Sequence, residues 1–181
     1  MLEKLIIKES KMISGNYFID LLYVDVREKN VVNMREELGA PKPLIDKDFK
    51  EDGGNSIELA DYKVELFFKD SCRFDGRNST SYGKSDIVFG GIVFGNHSKL
   101  EPPFGIEMGS NYEAVVKSIG REQDYNSKRM PQRMWKFTRE DGKDYLLYAV
   151  FEKDYSEVLS IRLITYTKAV EKANKHNPEA E

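Results

Sequence analysis

LYVDVREKNVVNMREELG, residues Leu22–Gly39, is answered 81 positions later by PFGIEMGSNYEAVVKSIG, residues Pro103–Gly120. Only Asn30 with Asn111 and Gly39 with Gly120 are identical in this alignment, yet the pattern repeats. Each stretch reads as a short extended segment, a polar turn, a helical apolar stripe and a closing glycine. In the first, Val31, Met34 and Leu38 recur at i, i+3 and i+7, with Asn30 as the expected N-cap over a helix Asn30–Leu38. Gly39 suits the left-handed position past its end, and Pro41 and Pro43 prevent continuation. In the second, Tyr112, Val115, Val116 and Ile119 form an amphipathic stripe, Ser110 and Glu113 have capping-box spacing, and Gly120 closes it.

Strand-like runs follow each helix. In the first half these are Ser56–Leu59, Tyr62–Phe68 and Asp86–Phe94. In Tyr62–Phe68, Tyr62, Val64, Leu66 and Phe68 share one face, and Lys63, Glu65 and Phe67 the other. Gly90-Gly91 inside the third run predicts a bulge, a bend or close approach of another backbone. In the second half the runs are Gln132–Thr138, Asp144–Phe151 and Val158–Thr165, with Asp141-Gly142 as a hairpin turn. Leu159, Ile161 and Leu163 are expected on one face of the last run, Ser160 and Arg162 on the other. Lys4–Lys8 reads as a strand, Ser14-Gly15-Asn16 as a turn, and Thr167–Lys175 as a short closing helix. Phe18–Val26 suits either strand or helix. The expectation is an α+β protein of two tandem helix-plus-antiparallel-sheet units, residues 1–97 and 98–181. Their sheet would have ~6 strands, and the helices would pack on one of its faces.

Composition narrows the function classes. The chain has 181 residues, 28 basic and 31 acidic, for a net charge of -3. A general nucleic-acid binder would be clearly basic. The single cysteine, Cys72, allows no internal disulfide, which fits a reducing compartment. No run approaches the ~18 apolar residues of a membrane helix. Leu5–Ile7 is too short for the apolar region of a signal peptide, and no cysteine follows a signal segment as a lipoprotein requires. These features predict a cytoplasmic protein with no membrane partner.

No motif for chemistry stands out. Cys72 with His97 as base, and Asp70 or Asp75 nearby, would make a thiol site, but no spacing brings the histidine to the cysteine. The two histidines, His97 and His176, belong to no metal-binding pattern. Asp46, Asp48, Glu51 and Asp52 alternate with Lys47 and Lys50 and read as a solvated loop. Neither Gly53-Gly54 nor Gly90-Gly91 leads into a phosphate-binding helix. Lys128–Lys136 (KRMPQRMWK) mixes bases with Trp135, which suits nucleic acid, but Trp135 lies in an alternating strand and reads as core. We therefore expect no catalytic residue, no cofactor and no metal.

The second half carries a resemblance. Pro103, Phe104, Gly105, Ile106, Gly109, Val116, Ile119, Gly120 and Trp135 match bacterial domains in which a PFG opening leads into a helix and an aromatic hairpin. The pattern resembles the small outer-membrane assembly lipoprotein type (SmpA/OmlA). It is also similar to the tandem-repeat β-lactamase-inhibitor-protein fold, and relatives of this appearance occur among bacterial toxin immunity proteins. The resemblance covers about 65 residues, and the first half follows only by pattern. It implies a scaffold without catalytic residues. The resulting expectation is a non-enzymatic protein-binding module, an immunity protein that occludes the active site of a cognate secretion-system or bacteriocin toxin. The alternatives are an outer-membrane assembly module and a hydrolase using Cys72 or a carboxylate. Phe67, an aromatic flanked by charges, has the character of a binding hot spot unless the N-terminal segment covers it. With Arg162, and with Asp70, Arg73, Asp75, Arg77 and Tyr82 on or near the long loop Asp70–Asp86, it makes up the expected partner-binding set.

Overall fold

Val64, Leu66 and Phe68 do point one way. They lie in β2 (Val64–Asp70), where buried and half-buried residues alternate without exception. The computed structural model describes residues 13–43, 49, 53–71, 87–127 and 130–167. Beside β2 lie β1 (Gly54–Leu59) and β3 (Ile87–Phe94). The second half contributes β4 (Tyr125–Ser127), β5 (Gln132–Thr138), β6 (Asp144–Phe151) and β7 (Val158–Thr165). All seven form one antiparallel sheet in the order β1-β2-β3-β7-β6-β5-β4. The helices are α1 (Gly15–Leu21), α2 (Lys29–Glu37) and α3 (Tyr112–Ile119). The fold is α+β.

The core gathers one parity of every long strand and the apolar stripes of the helices. Phe18 of α1 meets Phe89 and Phe94 of β3 at ring-centroid distances of 6.2 and 5.8 Å. Leu66, Phe68, Ile92, Trp135, Leu147, Ile161 and Leu163 join Val31, Met34 and Val115 in the same cluster. Each such large side chain contributes roughly 1.5–3 kcal/mol on leaving water. Met134, Leu146 and Val88 are also buried but lie outside that cluster. By strand register Met134 and Leu146 belong to the opposite face, where Leu146 is the one fully buried residue of β6 and Asp144, Tyr148 and Val150 are half-buried.

The glycine pair in β3 forms a bulge. Phe67 pairs with Gly91 and Phe68 with Phe89, which leaves Gly90 as the extra residue. Gly91 has φ 150°, and β7 runs close beside it. β3 then has two neighbours along one edge. Gly91–Phe94 pairs with β7, while Phe89 and Ile87 exchange hydrogen bonds with Tyr23, Val24 and Val26. Phe18–Val26 is thus divided between helix α1 and an extended segment. Tyr23 closes the fork: its hydroxyl donates to the Asp144 carbonyl (2.5 Å) and accepts from the Tyr166 amide (2.8 Å). Burial is the main cause that raises this phenol to about 12.

Several local expectations need correction. Ser14 caps α1, so Ser14-Gly15-Asn16 begins a helix where a turn was expected. A Cβ on Gly15 would lie 2.1 Å from the Pro102 carbonyl carbon, because the turn Pro103–Gly105 packs directly against this helix start. Glu28, not Asn30, is the N-cap of α2, and it makes no side-chain cap bond. Asn111, not Ser110, caps α3: its Oδ1 accepts from the Ala114 amide at 3.0 Å. β4 forms within 121–131, a stretch that reads from sequence as a polar loop, and it brings the sheet of the described residues to seven strands. A second bulge, at Val150/Phe151, pairs Phe151 with Val158, so Val158 is the buried residue at the start of β7 and Leu159 only half-buried. Gly39, Gly120 and Gly142 all adopt the expected positive φ. The expected strand Lys4–Lys8 and residues 168–175 of the expected closing helix lie outside the described residues.

Candidate functional site

The odd-numbered residues of β2 face away from the core cluster, and register carries that face across the sheet. Glu65 pairs with Val93, Val93 with Arg162, and Arg162 with Tyr148. One step along, Phe67 pairs with Gly91, and Gly91 with Ile164. These strands form a groove of about 390 Å³ lined by Phe67, Lys69, Val93, Gln132, Tyr148, Arg162 and Ile164. Every lining residue comes from a strand, so the groove is built on hydrogen-bonded backbone. Val93 and Ile164 give it an apolar floor between the aromatic rings of Phe67 and Tyr148.

Lys69 is held by shape. Its pairing partner across β1 is Gly54, and a Cβ there would lie 3.4 Å from the Lys69 Cγ. On the other side a Cβ on Gly90 would lie 2.8 Å from the same Cγ. Two glycines thus leave a slot for the aliphatic stem, and burial pushes the ammonium below the ordinary lysine pKa. Neither Lys69 nor Arg162 has an ion-pair partner among the described residues.

A second depression, of about 480 Å³, shares Val93 with the groove and adds Glu58, Lys63 and Glu65. Glu58 and Glu65 are directly cross-strand, a like-charged pair that repels anions from that end of the face. A third cavity of about 400 Å³ is lined by Tyr23, Asp144, Lys143 and Tyr166 among others. Its polar groups are already engaged: Asp144 with Lys136 at 2.7 Å, Lys143 with Asp141 at 3.6 Å, and Tyr23 as above. Unsatisfied charge separates the open-face groove from this cavity.

Of the expected partner-binding set, Phe67 and Arg162 line the same groove. Asp70 does not: it ends β2 on the core-facing parity and is buried. Arg73, Asp75, Arg77 and Tyr82 lie outside the described residues, as does Cys72. His97 is exposed in a turn at φ 62°. Among the described residues no group of His, Cys, Asp and Glu is arranged to hold a metal. No helix among them is long and apolar enough to cross a membrane. Trp135 is fully buried, its Nε1 donating to the Arg121 carbonyl at 3.1 Å. The bases around it are engaged locally. The Arg133 guanidinium lies 4.2 Å from the Tyr155 ring centroid, and Lys136 holds Asp144.

Reasoning from the sequence missed Lys69 because the expected strand ends at Phe68, two residues before the end of β2. Gln132, Tyr148 and Ile164 enter the groove only through the β3–β7 junction. The chain matches no family model, and comparison with curated proteins and with solved structures finds no match.

Proposed function

We propose that this chain is a non-enzymatic protein-binding module, and specifically an immunity protein that neutralises a cognate bacterial toxin by occluding its active site. The observation that carries this reading is the open-face groove, where Phe67, Tyr148, Lys69 and Arg162 sit on a rigid sheet. Aromatic and arginine side chains on such a frame are the usual anchors of tight interfaces. The groove and the surrounding face suit a standard interface of about 800 Å² per partner. Arg73, Asp75, Arg77 and Tyr82, the loop members of the expected partner-binding set, follow β2 in the sequence and lie outside the described residues.

The scaffold in this reading is a tandem repeat of units 1–97 and 98–181 with the helices on one face. Supporting it, the last strand of each half, β3 or β7, lies at the centre of the sheet, and earlier strands extend outward on both sides. Co-expression with the toxin encoded beside this gene provides the test. Restored growth and a co-purifying complex are expected; no rescue with no complex refutes the reading.

A further inference from the structure

We infer that the open-face groove recognises an extended acidic segment of a partner protein, with Lys69 and Arg162 each receiving one carboxylate and the floor between them receiving an apolar side chain. This rests on the protein-binding reading above. Three features argue for the occupant. First, the two cations are the charged members of the groove lining, and neither has an ion-pair partner among the described residues. A lysine whose stem is packed between Gly54 and Gly90 cannot swing freely into solvent, so its half-buried ammonium lacks the full hydration of a surface lysine. Protein carboxylates relieve that deficit.

Second, the spacing fits a strand. Lys69 and Glu65 are four residues apart on β2, and Glu65 shares a cross-strand row with Val93 and Arg162. The Lys69 and Arg162 backbones are therefore about 13 Å apart along the strands and about 10 Å across them, about 16 Å on the diagonal, and a peptide strand crossing the groove obliquely is met by both side chains. Their long side chains both reach the groove between. Residues i and i+4 of an extended peptide lie on one side about 13 Å apart, with i+2 between them. The sequence pattern is acid–x–apolar–x–acid, its central residue over Val93, Ile164 and Phe67.

Third, the same face selects against nucleic acid. Glu58 and Glu65 line the adjoining depression, which meets the groove at Val93, and a continuous phosphate backbone crossing the face would meet them. Separate carboxylates on a short segment need not.

The test uses the isotope-labelled full-length chain and the blocked peptide acetyl-Glu-Ser-Leu-Ser-Glu-amide, followed by amide chemical shifts. Saturable shifts at Phe67, Lys69, Val93, Arg162 and Ile164 are expected. The Gln-Ser-Leu-Ser-Gln counterpart should leave them in place. Lys69→Met and Arg162→Gln should each weaken binding at least about tenfold. Equal shifts with the Gln peptide, shifts confined to other residues, or no shift at all would overturn the inference. Groove shifts driven by oligothymidylate, or by protein concentration alone, would assign the face to nucleic acid or to a second copy and overturn it too. The broader reading is judged separately. If a toxin complex forms and both substitutions leave its Kd within about twofold, acid recognition fails while protein binding stands. If the peptide binds and no toxin is neutralised, acid recognition stands and the immunity reading fails.

Discussion

Gly90 and Gly91 are adjacent in β3 and serve different ends. At Gly91 an added Cβ would lie 2.2 Å from the Leu163 carbonyl oxygen and 2.9 Å from the Ile164 Cα, with φ already at 150°. Both contacts are backbone, so no side chain can move aside. Gly91→Ala should lower stability by about 3 kcal/mol, read as a reduced midpoint in urea. At Gly90 the obstruction is the flexible stem of Lys69. Gly90→Ala should cost about 1 kcal/mol or less, while moving Lys69 and weakening acidic-peptide binding. Lys69 itself should oppose stability in the free protein. Burial depresses its pKa, so between the lowered folded value and the ordinary 10.5 the unfolded chain holds more of this proton. Stability therefore rises with pH through that window, and below it the desolvation penalty is fully present. Lys69→Met should raise stability at neutral pH by on the order of 0.5–1 kcal/mol, and the advantage should shrink as pH approaches 10.5. A Lys69→Met advantage over the wild type that is no larger at neutral pH than near pH 10.5 would show that the ammonium is not strained by burial.

At the scale of elements, caps separate two readings of one helix. Ser110 and Glu113 have capping-box spacing, but Asn111 has the extended backbone of an N-cap and receives the Ala114 amide. The Ser110 hydroxyl instead donates to the Glu107 carbonyl. Asn111→Ala should cost about 1 kcal/mol and Ser110→Ala less than about 0.5; equal losses in thermal unfolding would contradict the assigned cap. Capping-box spacing favours Ser110 in the sequence, but Ser and Asn are both strong caps and stand side by side, so spacing alone selects the wrong neighbour. Strands were more legible. Alternation and the Asp141-Gly142 turn place β5, β6 and β7 to the residue, since their polar boundaries are sharp. β2 was set two residues early because Lys63, at φ 55°, turns the chain where alternation alone would continue it. β4 is only three residues long and has no apolar run to announce it. Continuing the β2 alternation by two residues would have put Lys69 beside Phe67 and Asp70 with the core, which is what the structure has. The remaining groove residues depend on which strand lies beside β3, a long-range pairing that no local pattern encodes.

For the whole molecule, the junction of β3 with β7 decides how the chain unfolds. It joins strands from the two halves through four paired positions, Gly91–Phe94 with Ile161–Ile164. Other bonds cross the same divide. The Arg139 guanidinium donates to the carbonyls of Ile19 (2.9 Å) and Leu22 (2.6 Å) at the end of α1, where a cation also meets the negative end of the helix. Asn16 Oδ1 accepts from the Phe104 amide at 2.9 Å, and Tyr23 bridges to Asp144 and Tyr166. The principal core cluster contains Phe18, Phe94, Trp135 and Leu163 together. Separated, fragment 1–97 would expose the inner edge of β3 and fragment 98–181 that of β7, each a long apolar strand open to aggregation. Each fragment alone should therefore be insoluble or unfolded, and the two co-expressed should co-purify as a folded pair. The intact chain should unfold in one transition, with tryptophan fluorescence at Trp135 and far-ultraviolet circular dichroism giving the same midpoint. Two separated transitions, or one fragment folding alone with native-like dispersion, would mean that the halves are energetically independent. The groove would then be a surface between two separable bodies, and its affinity for any partner would depend on the strength of β3–β7 pairing.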